Sequence, residues 1–406
     1  MKTVSVNGRQ YRQPTTRKAV VCVDGCEPDY LAQAVSAGVM PWLKRVLKTG
    51  THTIAHCVVP SFTNPNNLSI VTGVPPVQHG ICGNYLFDPE TQTEVMMNDP
   101  KWLKAPTILK ALADSGVRVG VVTAKDKLRR LLGYQMNGIC FSSEKAAEVT
   151  LEENGISDVL GMVKMPVPDV YSAQLSEFIF AAGVELFSRN LIDVAYLSTT
   201  DYIQHKHAPG TAGANAFYEM LDKYMARLEA LNVTIAITAD HGMNAKTALD
   251  GSPNVIYLSD VLKTIPGADR ARVILPITDP YVVHHGALGS FATVYLDKST
   301  NQLAEIARVL QSIQGIEVVL TREEAAKRFE LPADRLGDLV IVSERFTVLG
   351  SEASRHDLTG LDAPLRSHGG ISEQQVPLIL NHRYPKQANH QYRNFDAFDW
   401  VLNHDL

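Results

Sequence analysis

Short apolar runs alternate with helical patterns along the chain, and this alternation constrains the fold more than any other feature. The first apolar run covers 19–23, and similar runs follow at 117–122, 192–197 and 233–237. Stretches with apolar residues at helical spacing separate them. Such an order is typical of strands that pair in parallel, with helices packed on the faces of the sheet. We therefore predict an α/β fold with a mostly parallel sheet flanked by helices.

The segment 251–364 differs in character from the rest of the chain. Its strand-like runs and helical patterns are short and follow one another closely: 291–296, 301–313, 316–320, 323–329 and 339–342. We interpret 251–364 as a smaller αβ domain inserted into a core that consists of 1–250 and 365–406. The apolar run 376–380 then returns the chain to the core as a last strand.

The composition is that of a soluble globular protein. Among 406 residues, 45% are hydrophobic and 20% are charged, and the net charge of -5 argues against nucleic acid or an anionic membrane as the main partner. No apolar run approaches the roughly 20 residues that span a bilayer, and 1–18 lacks the apolar centre of a signal peptide. The five cysteines are scattered and odd in number, so we expect reduced thiols in a cytoplasmic protein.

Charged side chains follow four of the predicted strands at the point where each strand ends. They are Asp24, Lys125 with Lys127, Asp201, and Asp240 with His241. Ligands of open parallel sheets bind at the carboxyl ends of the strands, so we expect these side chains at one edge. A single aspartate after a strand is as often a helix cap or a turn residue. The combination therefore carries more weight than any member.

Two of these strand ends carry residue types that bind metals. Asp201 and His205 are four residues apart, so on a helix they would share a face and could hold one ion, although a surface pair is the plainer alternative. Asp240 and His241 are adjacent at the end of an apolar strand and precede Gly242. A buried aspartate and histidine at that point need partners that offset their desolvation. This second pair favours a metal site.

The segment 61–67 places a threonine hydroxyl at the start of a helical run. Pro65 suits the first helical position, which would make Asn64 the cap and leave Thr63 just before it. The hydroxyl would then face the positive end of a helix, where an anion is stabilised. Metal coordination is one way to activate such a weak nucleophile. The alternative is that Thr63 only supports the cap.

Other histidines are candidates from their position. His368 stands where the inserted segment rejoins the core, beside Gly369 and Gly370, which permit close approach of the backbone. His284 and His285 lie in the insert and could face a substrate from above or form an exposed loop.

Taken together, these motifs resemble the alkaline phosphatase superfamily, in particular its nucleotide pyrophosphatase/phosphodiesterase-like branch. The resemblance covers about residues 18–380 and is carried by motifs in the same order: Asp24-Gly25, 60–66, 72–75, 79–84, Asp201-x-x-x-His205, Asp240-His241-Gly242 and His368-Gly369. One departure is Asn64, where the phosphodiesterases usually have an aromatic or aliphatic residue. It leaves the assignment of Thr63 intact.

The resemblance implies a site with two zinc ions, which agrees with mixed aspartate and histidine ligands. One ion would be held by Asp201, His205 and His368. The other would be held by Asp24, Asp240, His241 and the Thr63 oxygen. Asn84 would donate to a phosphoryl oxygen, and the insert would be a cap over the site.

Within this branch, the chain resembles members that hydrolyse the carbon–phosphorus bond of phosphonoacetate through a phosphothreonine. The carbanion that leaves can delocalise into the substrate carboxylate, so such a site needs a cation for that carboxylate. Lys125 and Lys127 are our candidates, with Arg129 and His284 or His285 behind them. A solvated helix start is the alternative for the basic stretch. Alternatives for the activity are a phosphodiesterase or nucleotide pyrophosphatase, a mutase-type transferase, which normally uses serine, and a non-catalytic metal- or phosphate-binding protein.

Overall fold

The computed structural model of the protein describes residues 2–88, 90–278, 287–297, 300–359 and 361–403. Its centre is a seven-stranded sheet. From one edge to the other, the strands are Thr51–His56, Gln375–Leu380, Thr234–Thr238, Lys18–Cys22, Val194–Ser198, Val119–Thr123 and Ile139–Ser142. Gln375–Leu380 runs opposite to the other six strands of this sheet, so the prediction of a mostly parallel α/β sheet is confirmed.

Helices cover both faces of this sheet. In the Val194–Ser198 strand, the Tyr196 ring stacks on Phe398, whereas the next residue, Leu197, packs against Gly183. Since successive side chains of a strand point to opposite faces, the helices that carry Phe398 and Gly183 lie on opposite sides. With both faces covered, the central strands are buried along their whole length, which explains their uninterrupted apolar runs.

The helices have the following bounds. They are Pro28–Ser36, Pro41–Thr49, Thr63–Thr72, Pro76–His79, Ile108–Asp114, Asp126–Leu132, Leu151–Asn154, Val159–Val163, Gln174–Ser188, Tyr202–Lys206, Ala212–Ala230, Leu258–Leu262, Leu303–Gln311, Arg322–Phe329 and Ala397–Leu402. Two hairpins stand apart from the main sheet, Thr3–Val6 with Arg9–Arg12 and Tyr85–Asp88 with Thr93–Met96.

Segment 251–364 contains a sheet separate from the main one. Its four strands are antiparallel, in the order Arg272–Ile274, Phe291–Tyr295, Leu339–Ser343 and Ile316–Thr321. A parallel pair, Val255–Tyr257 with Val348–Gly350, lies beside it. Asn244–Ala245 pairs with Arg366–Ser367, so the chain before and after segment 251–364 lies side by side.

Two further features concern the chain as a whole. All five cysteines are buried and free. Among the described residues, the longest apolar helices fall short of what crossing a bilayer requires.

Candidate active site

The strand ends bring the predicted acidic residues to one place. Asp24 follows the Lys18–Cys22 strand, and its N–H donates to Thr199 Oγ1 over 2.9 Å. Asp240 follows the Thr234–Thr238 strand, and its Oδ1 accepts the Gly25 N–H at 3.3 Å. Neighbouring parallel strands thus hold both carboxylates at the same edge of the sheet, as the sequence predicts.

Asp24, Asp240 and His241 form a buried cluster whose potential ligand atoms lie within 4.8 Å of one another. His241 Nε2 is 3.2 Å from Asp24 Oδ1 and 3.8 Å from Asp240 Oδ2. The hydroxyl of Thr63 lies at the rim of this cluster, with Oγ1 3.5 Å from His241 Nε2. These four residues are the set that the sequence predicts for one metal ion.

Asp201 is the centre of a second cluster. Its Oδ2 is 2.9 Å from His205 Nε2 and 3.5 Å from His368 Nε2. Asp201 precedes the Tyr202–Lys206 helix, so the spacing of four residues places His205 on the same face. The His368 ring also stacks on His241 at 3.6 Å between centroids, and Asp201, His241 and His368 lie within 4.8 Å of one another. His241 therefore borders both clusters.

The three histidines share one orientation. In each, Nδ1 lies close to a backbone carbonyl oxygen: Arg366 O at 2.7 Å for His205, Gly242 O at 2.9 Å for His241, and Ser61 O at 2.8 Å for His368. A carbonyl oxygen only accepts, so Nδ1 must carry the proton in all three rings. The other ring nitrogen, Nε2, faces a carboxylate in each case. Histidines that bind metals are commonly fixed in this way.

The electrostatics of the clusters fit a bound cation. Asp24 Oδ1 is buried and receives no hydrogen bond from the residues that the structure describes. Burial raises the pKa of Asp24 well above its usual range, and Asp201 and Asp240 add to this. Burial and the nearby His241 hold the pKa of His368 well below its usual value. Oxygen and imidazole donors in this number suit zinc.

The structure corrects the predicted start of the Thr63 helix. The helix is Thr63–Thr72 with Phe62 as its cap, because Asn66 N–H donates to Phe62 O at 3.3 Å. Pro65 is the third helical residue, a position at which no N–H is needed within the helix. Asn64 is therefore not the cap, and Thr63 is the first residue of the helix rather than the residue before the cap.

A cavity of about 270 Å³ opens over both clusters. Its walls include Asp24, Thr63, Asp201 and His368, together with the predicted substrate-binding residues Asn84, Lys125 and Lys127. The Asn84 Oδ1 atom accepts the Asn64 N–H at 3.2 Å, which ties this asparagine to the first turn of the Thr63 helix.

The other three candidates for substrate binding are Arg129, His284 and His285. Arg129 does not belong to this wall, because it pairs with Asp126 at 2.5 Å and with Glu153 at 2.7 Å. His284 and His285 lie outside the described residues.

Several cavity residues were not predicted from the sequence. Thr199 and Thr200 fill the turn between a strand and Asp201, a position that could have indicated them. Glu144, Tyr171 and Ile277 also line the cavity. Tyr171 lies in irregular structure and Ile277 in the insert, so neither stands in a periodic pattern that would single it out.

The sequence model of a family described as type I phosphodiesterase/nucleotide pyrophosphatase matches residues 19–370. Among solved structures, the phosphonoacetate hydrolase of Sinorhizobium meliloti 1021, determined in complex with phosphonoformate and with phosphonoacetate, superposes with a TM-score of 0.95. Its sequence is 57% identical, and the match covers 99% of this chain and 98% of that chain.

More distant relatives show the same fold. Murine ectonucleotide pyrophosphatase/phosphodiesterase 5 superposes with a TM-score of 0.64 at 18% identity, over 95% of this chain and 94% of that chain. An ectonucleotide pyrophosphatase/phosphodiesterase of Caenorhabditis elegans is 23% identical over 373 residues, which are 87% of this chain and 44% of that protein. The chain thus spans less than half the length of this curated relative.

Proposed function

Because the chain belongs to the type I phosphodiesterase/nucleotide pyrophosphatase family, we propose that it is a metal-dependent hydrolase that cleaves the carbon–phosphorus bond of phosphonoacetate. The products would be acetate and phosphate. The observation that carries this proposal is one cavity in which Thr63, at the start of its helix, faces both acidic clusters and two lysines. The likeness over nearly the whole chain to a phosphonoacetate hydrolase supports the choice of substrate.

Two zinc ions would occupy the clusters. Asp201, His205 and His368 would hold one. Asp24, Asp240, His241 and the Thr63 oxygen would hold the other. When bound, zinc would act as a Lewis acid that lowers the pKa of the threonine hydroxyl and offsets charge on the phosphoryl oxygens.

Thr63 is the proposed nucleophile. Its Oγ1 loses a proton and attacks phosphorus in line with the carbon–phosphorus bond, and a phosphothreonine forms as that bond breaks. The electron pair of the bond stays on carbon and delocalises into the carboxylate as an enediolate, which takes up a proton to become acetate. Water then attacks phosphorus, the bond to Thr63 breaks, and phosphate leaves. The first turn of the helix favours the developing negative charge.

Lys125 and Lys127 would bind the substrate carboxylate and thereby stabilise the enediolate. Both line the same cavity as Thr63, and Lys125 caps the Asp126–Leu132 helix. Asn84 would donate from its amide nitrogen to a phosphoryl oxygen, because its Oδ1 already accepts the Asn64 N–H. The substrate would thus be held at both of its charged ends.

The division into a core and a cap belongs to the same proposal. Residues 1–250 and 365–406 would form the catalytic core, and 251–364 would cover the site. Ile277 of the insert lines the cavity, and Pro276 O accepts the Asn84 N–H at 2.8 Å. The insert would therefore shape the substrate space directly.

A phosphodiesterase activity with the same metals is the second candidate. The rings of Tyr171 and Tyr202 lie 5.8 Å apart at an angle of 49°, and both tyrosines line the cavity. Such a pair could stack on a base or an aryl ester group.

Phosphate release from phosphonoacetate by the zinc-loaded protein tests the proposal, with a bis-aryl phosphodiester run in parallel. We expect release from phosphonoacetate, a loss of at least about 1,000-fold in Thr63→Ala, and phosphate on Thr63 in acid-quenched wild-type protein by mass spectrometry. Metal analysis of the Thr63→Ala protein is the control, since both ions should still bind through the remaining ligands. Turnover of the diester alone would overturn the substrate assignment, and full activity in Thr63→Ala would overturn the nucleophile.

A further inference from the structure

Asn67 is a fully buried asparagine one turn after Thr63 on the same helix. Its Nδ2 donates to the Thr63 backbone oxygen and to Asp240 Oδ2, both at 3.1 Å. Its Oδ1 accepts the Tyr196 hydroxyl at 2.7 Å and the Ser198 hydroxyl at 2.8 Å. The amide therefore joins the residue that we propose as nucleophile, one of the proposed metal ligands and a central strand.

The orientation of this amide follows from its partners. The Thr63 carbonyl and the Asp240 carboxylate can only accept, so both must face the NH₂ group of Asn67. The two hydroxyls on the other side then donate to Oδ1. All four hydrogen bonds that a primary amide makes most readily are formed, and flipping the amide would turn its one acceptor, Oδ1, toward the two acceptors Thr63 O and Asp240 Oδ2. Asn67 is thus held in one position by the Val194–Ser198 strand.

The hydrogen bonds of Asp240 determine which of its two carboxylate oxygens can face a cation. Asp240 Oδ1 already accepts two backbone N–H groups, from Gly25 at 3.3 Å and from His241 at 3.0 Å. Oδ2 is the oxygen on the side of the His241 ring, with Nε2 at 3.8 Å. The Asn67 NH₂ group reaches Oδ2 from the helix side, so it fixes the direction in which the remaining lone pair points.

We propose that Asn67 is a positioning residue that sets Thr63 and Asp240 in register, so that the nucleophile and the Asp24–Asp240–His241 cluster act on the same ion. The inference rests on the proposed function. Among the residues that the structure describes, the Asn67 amide bonds to Thr63, Asp240, Tyr196 and Ser198, and none of these belongs to the Asp201–His205–His368 cluster. Loss of the amide should therefore affect one metal site and spare the other.

Asn66 offers a matched control on the same helix. It is equally buried, and its amide bonds to the backbone of Val58, Pro60 and Phe62 and to Asn394, with no contact to a proposed ligand. Asn66→Ala and Asn67→Ala should both lower the melting temperature, since each removes a buried network of hydrogen bonds. A purely structural role for Asn67 would make the two variants alike in metal binding.

The experiment compares wild type, Asn67→Ala and Asn66→Ala by zinc titration against a chromophoric chelator. Hydrogen bonds to the side chains that bind a metal typically contribute about 10- to 100-fold in affinity. We expect Asn67→Ala to weaken one of the two zinc sites by that factor and leave the other unchanged, with kcat reduced and KM nearly constant. Replacement by Co²⁺ should show a changed visible absorption for one site only. Asn66→Ala should bind both ions as wild type does.

The outcomes separate the inference from the proposed function. Wild-type zinc affinity and cobalt spectrum in Asn67→Ala would overturn the inference, as would the same selective loss in Asn66→Ala. Failure of the wild type itself to bind zinc and release phosphate would overturn the proposed function. If Asn67→Ala does not fold, Tyr196→Phe/Ser198→Ala replaces it, because it frees the amide to rotate. That variant should weaken the same site by several-fold, and unchanged binding would again contradict the inference.

Discussion

At the scale of single residues, Lys125 and Lys127 line the same cavity as Thr63 and would bind the substrate carboxylate that we propose. The acidic clusters and Thr63 occupy one part of the cavity wall, and the two lysines belong to the same wall. A substrate with a phosphonate at one end and a carboxylate at the other would use both parts. The lysines would thus distinguish phosphonoacetate from phosphonates that lack a carboxylate.

Lys127→Gln and Lys125→Gln should each raise KM for phosphonoacetate by about 10- to 100-fold, because hydrogen bonds to charged groups contribute about 1.5–3 kcal/mol. Hydrolysis of an aryl phosphodiester, which has no carboxylate, should change little. Steady-state kinetics on both substrates measure the difference. Lys145→Gln is the control, since Lys145 is exposed and pairs with Glu148. An equal loss on both substrates would contradict a role in carboxylate binding.

The sequence predicted those site residues whose position follows from the end of a buried strand. Asp24, Asp240 and His241 directly follow buried strands, so their place at the sheet edge could be predicted. Asn67 and Tyr171 gave no such signal. The position of Asn67 matters through contacts with residues distant in sequence, and Tyr171 lies in an irregular segment.

At the scale of elements, His79 joins the Thr63–Thr72 helix to the segment that carries Asn84. His79 Nδ1 accepts the Ile81 N–H at 3.2 Å, so Nε2 carries the proton and donates to Ser69 Oγ at 2.9 Å. The ring is fully buried, and burial lowers the pKa of His79 to about 3. The neutral ring therefore connects the two elements across the physiological pH range.

This contact predicts a loss of stability in acid. Above the unfolded pKa of about 6.5, the His79 imidazole is neutral in both the folded and the unfolded state. Below pH 6.5 the imidazole of the unfolded chain becomes protonated, whereas that of the folded protein stays neutral down to about pH 3. At pH 5, which is about 1.5 units below the unfolded pKa, protonation of the unfolded chain lowers the free energy of unfolding by roughly 2 kcal/mol. His79→Gln should be less stable than wild type at pH 7.5, and the gap should narrow by about that amount at pH 5. Urea unfolding of the chelator-treated wild type and variant at both pH values measures these free energies. An equal difference in stability at pH 7.5 and pH 5 would contradict a neutral His79 in the folded protein.

Elements were predictable where both faces of a strand are buried. The Lys18–Cys22, Val194–Ser198 and Thr234–Thr238 strands appear in the sequence as unbroken apolar runs. The Ile139–Ser142 edge strand was not predicted, because it is only four residues long and has no run of this kind. The start of the Thr63–Thr72 helix was misplaced, because proline fits any position of a first turn that needs no N–H.

At the scale of the whole molecule, a buried ion pair joins the chain on either side of segment 251–364. Lys246 Nζ is 3.0 Å from Glu373 Oε1, and both side chains are fully buried. Lys246 also donates to Ser290 Oγ and to Arg345 O, each at 2.7 Å. The other oxygen of Glu373 accepts the Gly370 N–H at 3.0 Å, close to His368.

Lys246→Met should destabilise the protein by about 3–5 kcal/mol, because it leaves a buried carboxylate without its cation. The double variant Lys246→Met/Glu373→Gln should lose less than the sum of the two single variants. Denaturant unfolding measures these free energies. Lys263→Met, which removes an exposed pair with Glu352, should change stability by less than about 1 kcal/mol. Additive losses in the cycle would show that the pair is not coupled.

The division into a core and a cap stays a prediction. The change of character after residue 250 indicated a separate set of short elements, and the structure has an antiparallel sheet there. That Ile277 reaches the cavity depends on how this sheet packs against the core, which no local pattern encodes.

The pairing of Asn244–Ala245 with Arg366–Ser367 bears on how such a chain can diverge. The two ends of the segment between these strands already lie side by side. Lengthening that segment therefore adds little closure entropy, about 0.6 kcal/mol for each doubling of its length. During evolution this segment could be shortened, extended or replaced without a change in the strand order of the main sheet. The residues around the two acidic clusters would stay as they are while the roof of the cavity is exchanged. Selection for a different phosphorus-containing substrate could thus act on this one segment and leave the proposed nucleophile and metal ligands unchanged.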